Sequence, residues 1–137
     1  MKIEDLFIGA WVQELLPTSK RLSIPMQVVG LFDVGVTSTA YLDFEGNEAD
    51  PWEVEVRDLL GIPLTEELLL KNGFVKTAYV DSVYVYDHFC IEKDGEYWFI
   101  DTNSGDMCSP VFKVKELCVH HLQSALRLAG IDLKIKL

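Results

Sequence analysis

The chain of 137 residues is poor in positive charge. Its 12 lysine and arginine residues stand against 22 aspartate and glutamate residues, a formal net charge of −10 at pH 7. A protein that neutralises nucleic-acid phosphates needs a basic stripe, whereas the mildly basic C-terminal part offers only scattered bases, at Lys113, Lys115, Arg127, Lys134 and Lys136. The charge therefore argues against direct nucleic-acid binding.

Cysteine is also scarce, with only Cys90, Cys108 and Cys118. An odd number without a C-x-x-C pair indicates neither a disulfide framework nor a zinc knuckle. We expect free, largely buried thiols in a reducing compartment.

Long apolar runs are missing, and none approaches the roughly 20 residues that cross a bilayer. Residues 1–5 carry acidic side chains where a signal peptide carries basic ones, and no apolar segment follows. We therefore expect a cytoplasmic protein without a membrane partner. A glycine-rich phosphate loop and a serine nucleophile motif are absent too, so we expect no cofactor.

Apolar residues make up 49% of the chain and aromatic residues 11%, which is ample for a packed interior. The first half contains short β-rich runs at residues 8–12, 26–32 and 36–44. A fourth run, residues 52–56, alternates with Trp52, Val54 and Val56 facing inward and Glu53 and Glu55 facing outward. This spacing predicts a small SH3-like antiparallel β-barrel over residues 1–62, with residues 59–64 as a connector.

Residues 63–137 predict an α+β subdomain that forms one compact unit with the barrel. A short helix begins after Thr65, a good N-cap, and ends at Gly73. A second, amphipathic helix is expected from about Lys115 to Ala129. Two further strands are expected at residues 110–114 and 133–137.

A tight hairpin is predicted between these helices, over residues 83–101, with Asp94 and Gly95 as the turn. This turn would place His88 opposite Asp101 and Cys90 opposite Phe99. It would also gather Phe89, Ile91, Trp98 and Ile100 on one apolar face.

The hairpin holds the one catalytic candidate, in which Cys90 is the nucleophile, His88 the base and Asp101 the group that orients the base. Same-face neighbours two residues apart on a strand are about 7 Å apart, whereas catalytic pairs need about 3 Å. A thiol-dependent enzyme is therefore kept as an alternative only, and no catalytic residue is assigned.

Two kinds of metal site are conceivable in this sequence, and neither is expected. Cys118, His120 and His121 could join Cys90 or Cys108 as zinc ligands. However, the expected helix turns His120 away from the face of the other two, and paired ligands are missing. The loop over residues 101–106 resembles the start of a calcium-binding loop, but Phe112 stands where calcium needs a glutamate. We expect no metal.

Two surface features remain. The aromatic residues Trp11, Tyr41, Trp52, Tyr84 and Tyr86 could form a groove for an extended peptide, as on other small barrels. The acidic residues 43–58 could form a paired-carboxylate acid/base site, imitate nucleic-acid charge or, more simply, form a solvated face. The leading hypothesis is a non-enzymatic module that binds a protein partner, and the sequence names neither that partner nor an oligomeric state.

Residues 4–12, 62–74 and 119–126 together resemble a group of small uncharacterised proteins of gut Bacteroidales genomes, often found among prophage and mobile-element genes. The matching stretches span most of the chain in order. The resemblance implies a β-barrel followed by an α/β part and an accessory role. It implies no catalytic residues.

Overall fold

The computed structural model describes residues 1–101 and 112–137. It shows a mixed α+β protein with two five-stranded antiparallel sheets and two α-helices. The chain divides into two compact units, Met1–Ile62 and Pro63–Leu137, each with one sheet. No helix among the described residues is long and apolar enough to cross a membrane.

The first unit is built on strands β1 (Trp11–Glu14), β2 (Met26–Asp33), β3 (Ser38–Asp43), β4 (Trp52–Glu55) and β5 (Leu59–Gly61). Their order across the sheet is β4-β3-β2-β1-β5. One 3₁₀ helix, Ile3–Asp5, precedes β1, and another, Val56–Asp58, joins β4 to β5. The predicted connector thus contains a strand, in which the fully buried Leu59 pairs with Glu14. Three residues are too few to show a strand period in the sequence.

Alternate residues along these strands point to the same face of the sheet, and that face is buried. The buried residues include Val12, Val28, Ala40, Leu42 and Val54, and the predicted outward position of Glu53 is confirmed. The pairing of β2 with β3 shifts between Val28 and Gly30, and the ring of Tyr41 covers Gly30. Closure of a barrel is not confirmed, because β4 and β5 are the two edges of the sheet.

The second unit begins with helix α1 (Glu66–Lys71), as predicted. The Thr65 hydroxyl accepts a hydrogen bond from the Leu68 amide at 3.2 Å, which caps the helix. Gly73 adopts a φ of +86°, and the amide of the buried Phe74 returns to the Leu69 carbonyl at 3.1 Å. Leu69 is the one buried residue of this helix, whereas the neighbouring Leu70 is 47% exposed.

The sheet of this unit contains β6 (Val75–Lys76), β7 (Val83–Tyr86), β8 (Phe89–Asp94), β9 (Tyr97–Asp101) and β10 (Phe112–Val114), in the order β10-β9-β8-β7-β6. The apolar face of Phe89, Ile91, Trp98 and Ile100 is confirmed as buried. β10 lies within the strand expected near residues 110–114.

The predicted register of the hairpin is wrong by two residues. Asp94 remains in the strand opposite Tyr97, so Gly95 and Glu96 form the turn. Gly95 has a φ of +59°, as the first position of a type II′ turn requires, and glycine there is preferred. Cys90 consequently faces Asp101, and the predicted pairing of His88 with Asp101 is not formed.

Helix α2 (Val119–Leu128) begins later than predicted. Residues 117–118 are not helical: Cys118 is extended and forms a β-bridge with Pro63, and the Leu64 amide donates to the Leu117 carbonyl at 2.8 Å. Residues 63–64 therefore occupy backbone groups of residues 117–118 that a longer helix would have used for its own hydrogen bonds.

The strand predicted at residues 133–137 is absent; the structure shows an irregular segment there. The side-chain amide of Asn72 binds this segment instead. Its Oδ1 accepts from the Lys136 amide at 2.7 Å, and its Nδ2 donates to the Lys136 carbonyl at 2.8 Å. A carboxamide offers the same donor and acceptor as a peptide group, so Asn72 replaces a neighbouring strand.

Candidate functional site

The predicted thiol site is not assembled. His88 lies in the two-residue turn between β7 and β8, after Asp87, whose φ is +53°. Its Nδ1 is 3.2 Å from the Asp87 carboxylate, and its Nε2 is 3.3 Å from the Ala129 carbonyl. Both neighbours are oxygen acceptors, and neither contact involves the Cys90 thiol. A general base would instead need a lone pair directed at the thiol.

Cys90 itself is poorly suited to nucleophilic attack. Burial raises the pKa of the Cys90 thiol, and the nearby carboxylates of Asp101 and Glu92 raise it further. A reactive cysteine needs the opposite environment, an electropositive one that favours the thiolate. The register that brings Asp101 to Cys90 therefore works against the catalytic hypothesis.

The five predicted aromatic residues differ in burial and belong to two units. Trp11 and Tyr41 lie on the outer face of the first sheet, by alternation with the buried Val12 and Ala40. Tyr84 and Tyr86 belong to the second unit. Tyr84 is 3% exposed, and the Tyr86 ring packs on Phe74 with centroids 5.4 Å apart.

Trp52 is the exception among these aromatic residues. It lies on the inner face of β4, opposite Leu42, yet it is 55% exposed. Its indole Nε1 donates a hydrogen bond to the Glu14 carboxylate at 3.0 Å. Glu14, on β1, is itself buried. An exposed ring is thus fixed in orientation by a buried acid, a relationship that strand alternation in the sequence could not indicate.

A cavity of about 500 Å³ lies in the second unit, lined by Leu64, Thr65, Glu66, Ser82, Tyr84, Lys93, Gly95 and Trp98. Hydrogen bonds from the Tyr84 hydroxyl and the Lys76 ammonium lower the pKa of Glu66. Burial of its ring and the bond to Glu66 raise the pKa of Tyr84. Two polar groups of this cavity, the Glu66 carboxylate and the Tyr84 hydroxyl, are therefore already bonded to each other.

The second unit also contains a cluster of candidate metal ligands at the beginning of α2, where the sequence predicts no metal site. Cys118, His120 and His121 offer ligand atoms that all lie within 4.8 Å of one another. The expectation that His120 points away is wrong, because this residue is 3% exposed. Side chains of a helix tilt toward its N-terminus, where the paired residues 63–64 and 117–118 lie. Burial, followed by the charge of Glu116, raises the pKa of Cys118.

Two other predicted sites include residues outside the part of the chain that the structure describes. Cys90 and Cys118 are free, half-buried thiols, whereas Cys108 lies outside the described residues. The loop compared with a calcium site also lies outside them beyond Asp101. No protein-family model matches the chain, and the searches of curated proteins and of solved structures find no match either.

Proposed function

We propose that the protein is a non-enzymatic interaction module that binds an extended segment of a protein partner through its first unit. The observation that carries this proposal is Trp52, which exposes 55% of its surface while its indole N–H is fixed on Glu14. A preorganised aromatic ring offers a large apolar contact and loses little side-chain entropy on binding.

Exposed aliphatic residues also lie along the segment that follows Glu14. Leu15 and Leu22 pair in an antiparallel bridge and are 36% and 51% exposed, and Ile24 is also exposed. Two hydrogen bonds of 2.9 Å hold this segment to the end of β1: the Ser23 amide donates to the Glu14 carbonyl, and the Glu14 amide donates to the Ser23 hydroxyl. The apolar side chains are therefore presented by an ordered loop.

An SH3-like arrangement of this unit forms part of the proposal. The strand order β4-β3-β2-β1-β5, with a 3₁₀ helix before the last strand, supports it. The contact between Trp52 and Glu14 supports a strongly curled sheet. Small barrels of this kind receive extended peptides in aromatic grooves.

Charge favours a basic occupant. Residues 1–62 contain 11 acidic and 4 basic residues, and Asp50, Glu53 and Glu55 lie on or beside β4. A partner segment with lysine or arginine beside aliphatic side chains would complement both the charge and the apolar contacts. An accessory role among prophage or mobile-element genes, which the sequence resemblance implies, is part of this proposal.

A random peptide library screened against the full chain tests the proposal. We expect enriched peptides with basic and aliphatic residues, and affinity at least about tenfold weaker for Trp52→Ala and for Leu22→Ser. Tyr79→Ala is the matched control, because Tyr79 is 97% exposed but belongs to the second unit. Circular dichroism confirms that each variant is folded.

Two results would overturn the proposal: no enriched peptide, or an affinity that a folded Trp52→Ala variant leaves unchanged. Binding that depends on basic residues alone and falls steeply with salt would instead identify an acidic mimic of nucleic acid.

A further inference from the structure

The geometry points to a zinc-binding site formed by Cys118, His120 and His121 at the beginning of α2. Their candidate ligand atoms lie within 4.8 Å of one another. This site lies in the second unit and is independent of the proposed peptide surface of the first.

The local backbone brings the three side chains together. Cys118 is the extended residue before the helix and is held in place by its bridge to Pro63. His121, three residues later, returns to that position, and its Nδ1 accepts a hydrogen bond from the Cys118 amide at 3.1 Å. A residue at the N-cap and the third helical residue are known to meet in this way.

His120 completes the group from the adjacent helical position. Its ring centroid is 4.1 Å from that of His121, with the planes tilted by 43°. Neighbouring residues of a helix point in directions about 100° apart, so contact between their rings requires that both side chains turn to the same end of the helix. The Nδ1 atom of His120 is buried, so one of the two candidate ligand nitrogens of this ring lies away from bulk solvent.

The donor set selects the kind of metal. One thiolate and two imidazoles suit zinc and similar transition metals, whereas calcium and magnesium require oxygen ligands. Zinc is bound at about 2.3 Å by sulfur and about 2.0 Å by imidazole nitrogen, usually with four ligands in a tetrahedron. Three protein ligands leave the fourth position to water or to another small ligand.

Binding must displace an existing interaction. Because Nδ1 of neutral His121 accepts from the Cys118 amide, its proton lies on Nε2. Coordination through Nδ1 releases that hydrogen bond, and coordination through Nε2 releases it as well, because the ring proton must then move to Nδ1, which can no longer accept. The Cys118 thiol also gives up its proton on binding, since the thiolate is the ligand.

Cobalt(II) serves as the spectroscopic probe, added to the chelator-treated full chain under reducing conditions and then displaced by zinc. We expect one equivalent to bind with the visible bands of tetrahedral cobalt and a thiolate-to-cobalt charge-transfer band. Cys118→Ser should abolish the charge-transfer band, and His121→Gln should weaken binding by about 100-fold or more, because loss of a mere supporting partner already costs 10–100-fold.

Cys90→Ser is the matched control, since Cys90 is a second half-buried thiol outside the cluster; it should keep both the band and the affinity. Thermal unfolding of each metal-free variant verifies the fold. The assignment is overturned if the folded wild type binds no cobalt, or if a folded Cys118→Ser variant retains the charge-transfer band. Loss of that band in Cys90→Ser would also overturn it.

Discussion

Trp52 on β4 donates its indole N–H to the Glu14 carboxylate on β1 at 3.0 Å, although β3 and β2 lie between these strands. Neighbouring strands are about 4.8 Å apart, so β4 and β1 of a flat sheet would be separated by about 14 Å. Side chains stand roughly perpendicular to a sheet. Their tips can meet only because the sheet curls around its inner face.

The hydrogen bond from Trp52 to Glu14 should stabilise the folded protein, because it satisfies a buried carboxylate. Trp52→Phe keeps an aromatic ring but removes the N–H donor, and we expect the free energy of unfolding to fall by about 1–3 kcal/mol. Urea denaturation measures this loss. Glu14→Gln keeps an oxygen acceptor and should cost less.

A second background tests whether the two residues are coupled. In a Glu14→Met variant no carboxylate is left unsatisfied, so Trp52→Phe should cost clearly less than in the wild type. An equal cost in both backgrounds would show that the hydrogen bond does not contribute to stability.

The register of β8 and β9 can be tested by disulfide formation. Cys90 faces Asp101 directly, and opposite residues of antiparallel strands have Cβ atoms about 4.5–5.5 Å apart, close to the range that a disulfide accepts. In a Cys108→Ser, Cys118→Ser background, Asp101→Cys should therefore oxidise readily with Cys90, with the loss of two hydrogens seen by mass spectrometry.

Phe99→Cys provides the contrast, because Phe99 faces Cys90 only in the register that the turn Asp94-Gly95 would have set. Preferential oxidation of Phe99→Cys over Asp101→Cys would refute the observed register.

Asn72 should anchor the irregular C-terminal segment. Its side chain makes two hydrogen bonds to Lys136 and donates a third to the Leu68 carbonyl at 2.8 Å. We expect Asn72→Ala to lower the free energy of unfolding by about 1–3 kcal/mol, because three part-buried hydrogen bonds to backbone groups are lost. Residues near Lys136 should also exchange amide hydrogens faster.

Asn47→Ala is a suitable control for this prediction. Asn47 is half-buried and bonds locally to Asp43 at 2.8 Å in the turn after β3. It should leave exchange near Lys136 unchanged. Unaltered exchange in Asn72→Ala would mean that other contacts hold the segment.

The two described thiols should react slowly with iodoacetamide near neutral pH. Burial raises the pKa of Cys90 and of Cys118 above that of a free cysteine, so the thiolate fraction is smaller and the rate should rise only at more alkaline pH. The raised pKa values also make stability depend on pH. The contribution of the two thiols to the free energy of unfolding is fully present below the unfolded thiol pKa of about 8.5, and it is lost as pH rises through the higher pKa values of the folded protein.

The His88→Ala variant, made in a Cys108→Ser background, tests whether His88 activates the Cys90 thiol. The rate at Cys90 should not change, because the His88 ring faces Asp87 and the Ala129 carbonyl. Rapid alkylation of Cys90 at neutral pH that disappears in His88→Ala would restore the thiol-enzyme alternative.

The sequence by itself determined features that depend on neighbouring residues. Helix α1 begins after Thr65 and ends before Gly73, because an N-cap and a glycine with positive φ act within a single turn of helix. Phe89, Ile91, Trp98 and Ile100 share a buried face because strand alternation has a period of two, which survives the two-residue error in register. The mixed α+β class followed from such local patterns.

Tertiary structure decided the rest, because those features depend on partners distant in sequence. Residues 117–118 pair with residues 63–64, which shortens α2 and turns His120 and His121 toward Cys118. Asn72 replaces a strand neighbour for Lys136, 64 residues away. Curling of the first sheet brings Trp52 to Glu14. No local propensity encodes which of several possible distant partners satisfies a buried polar group.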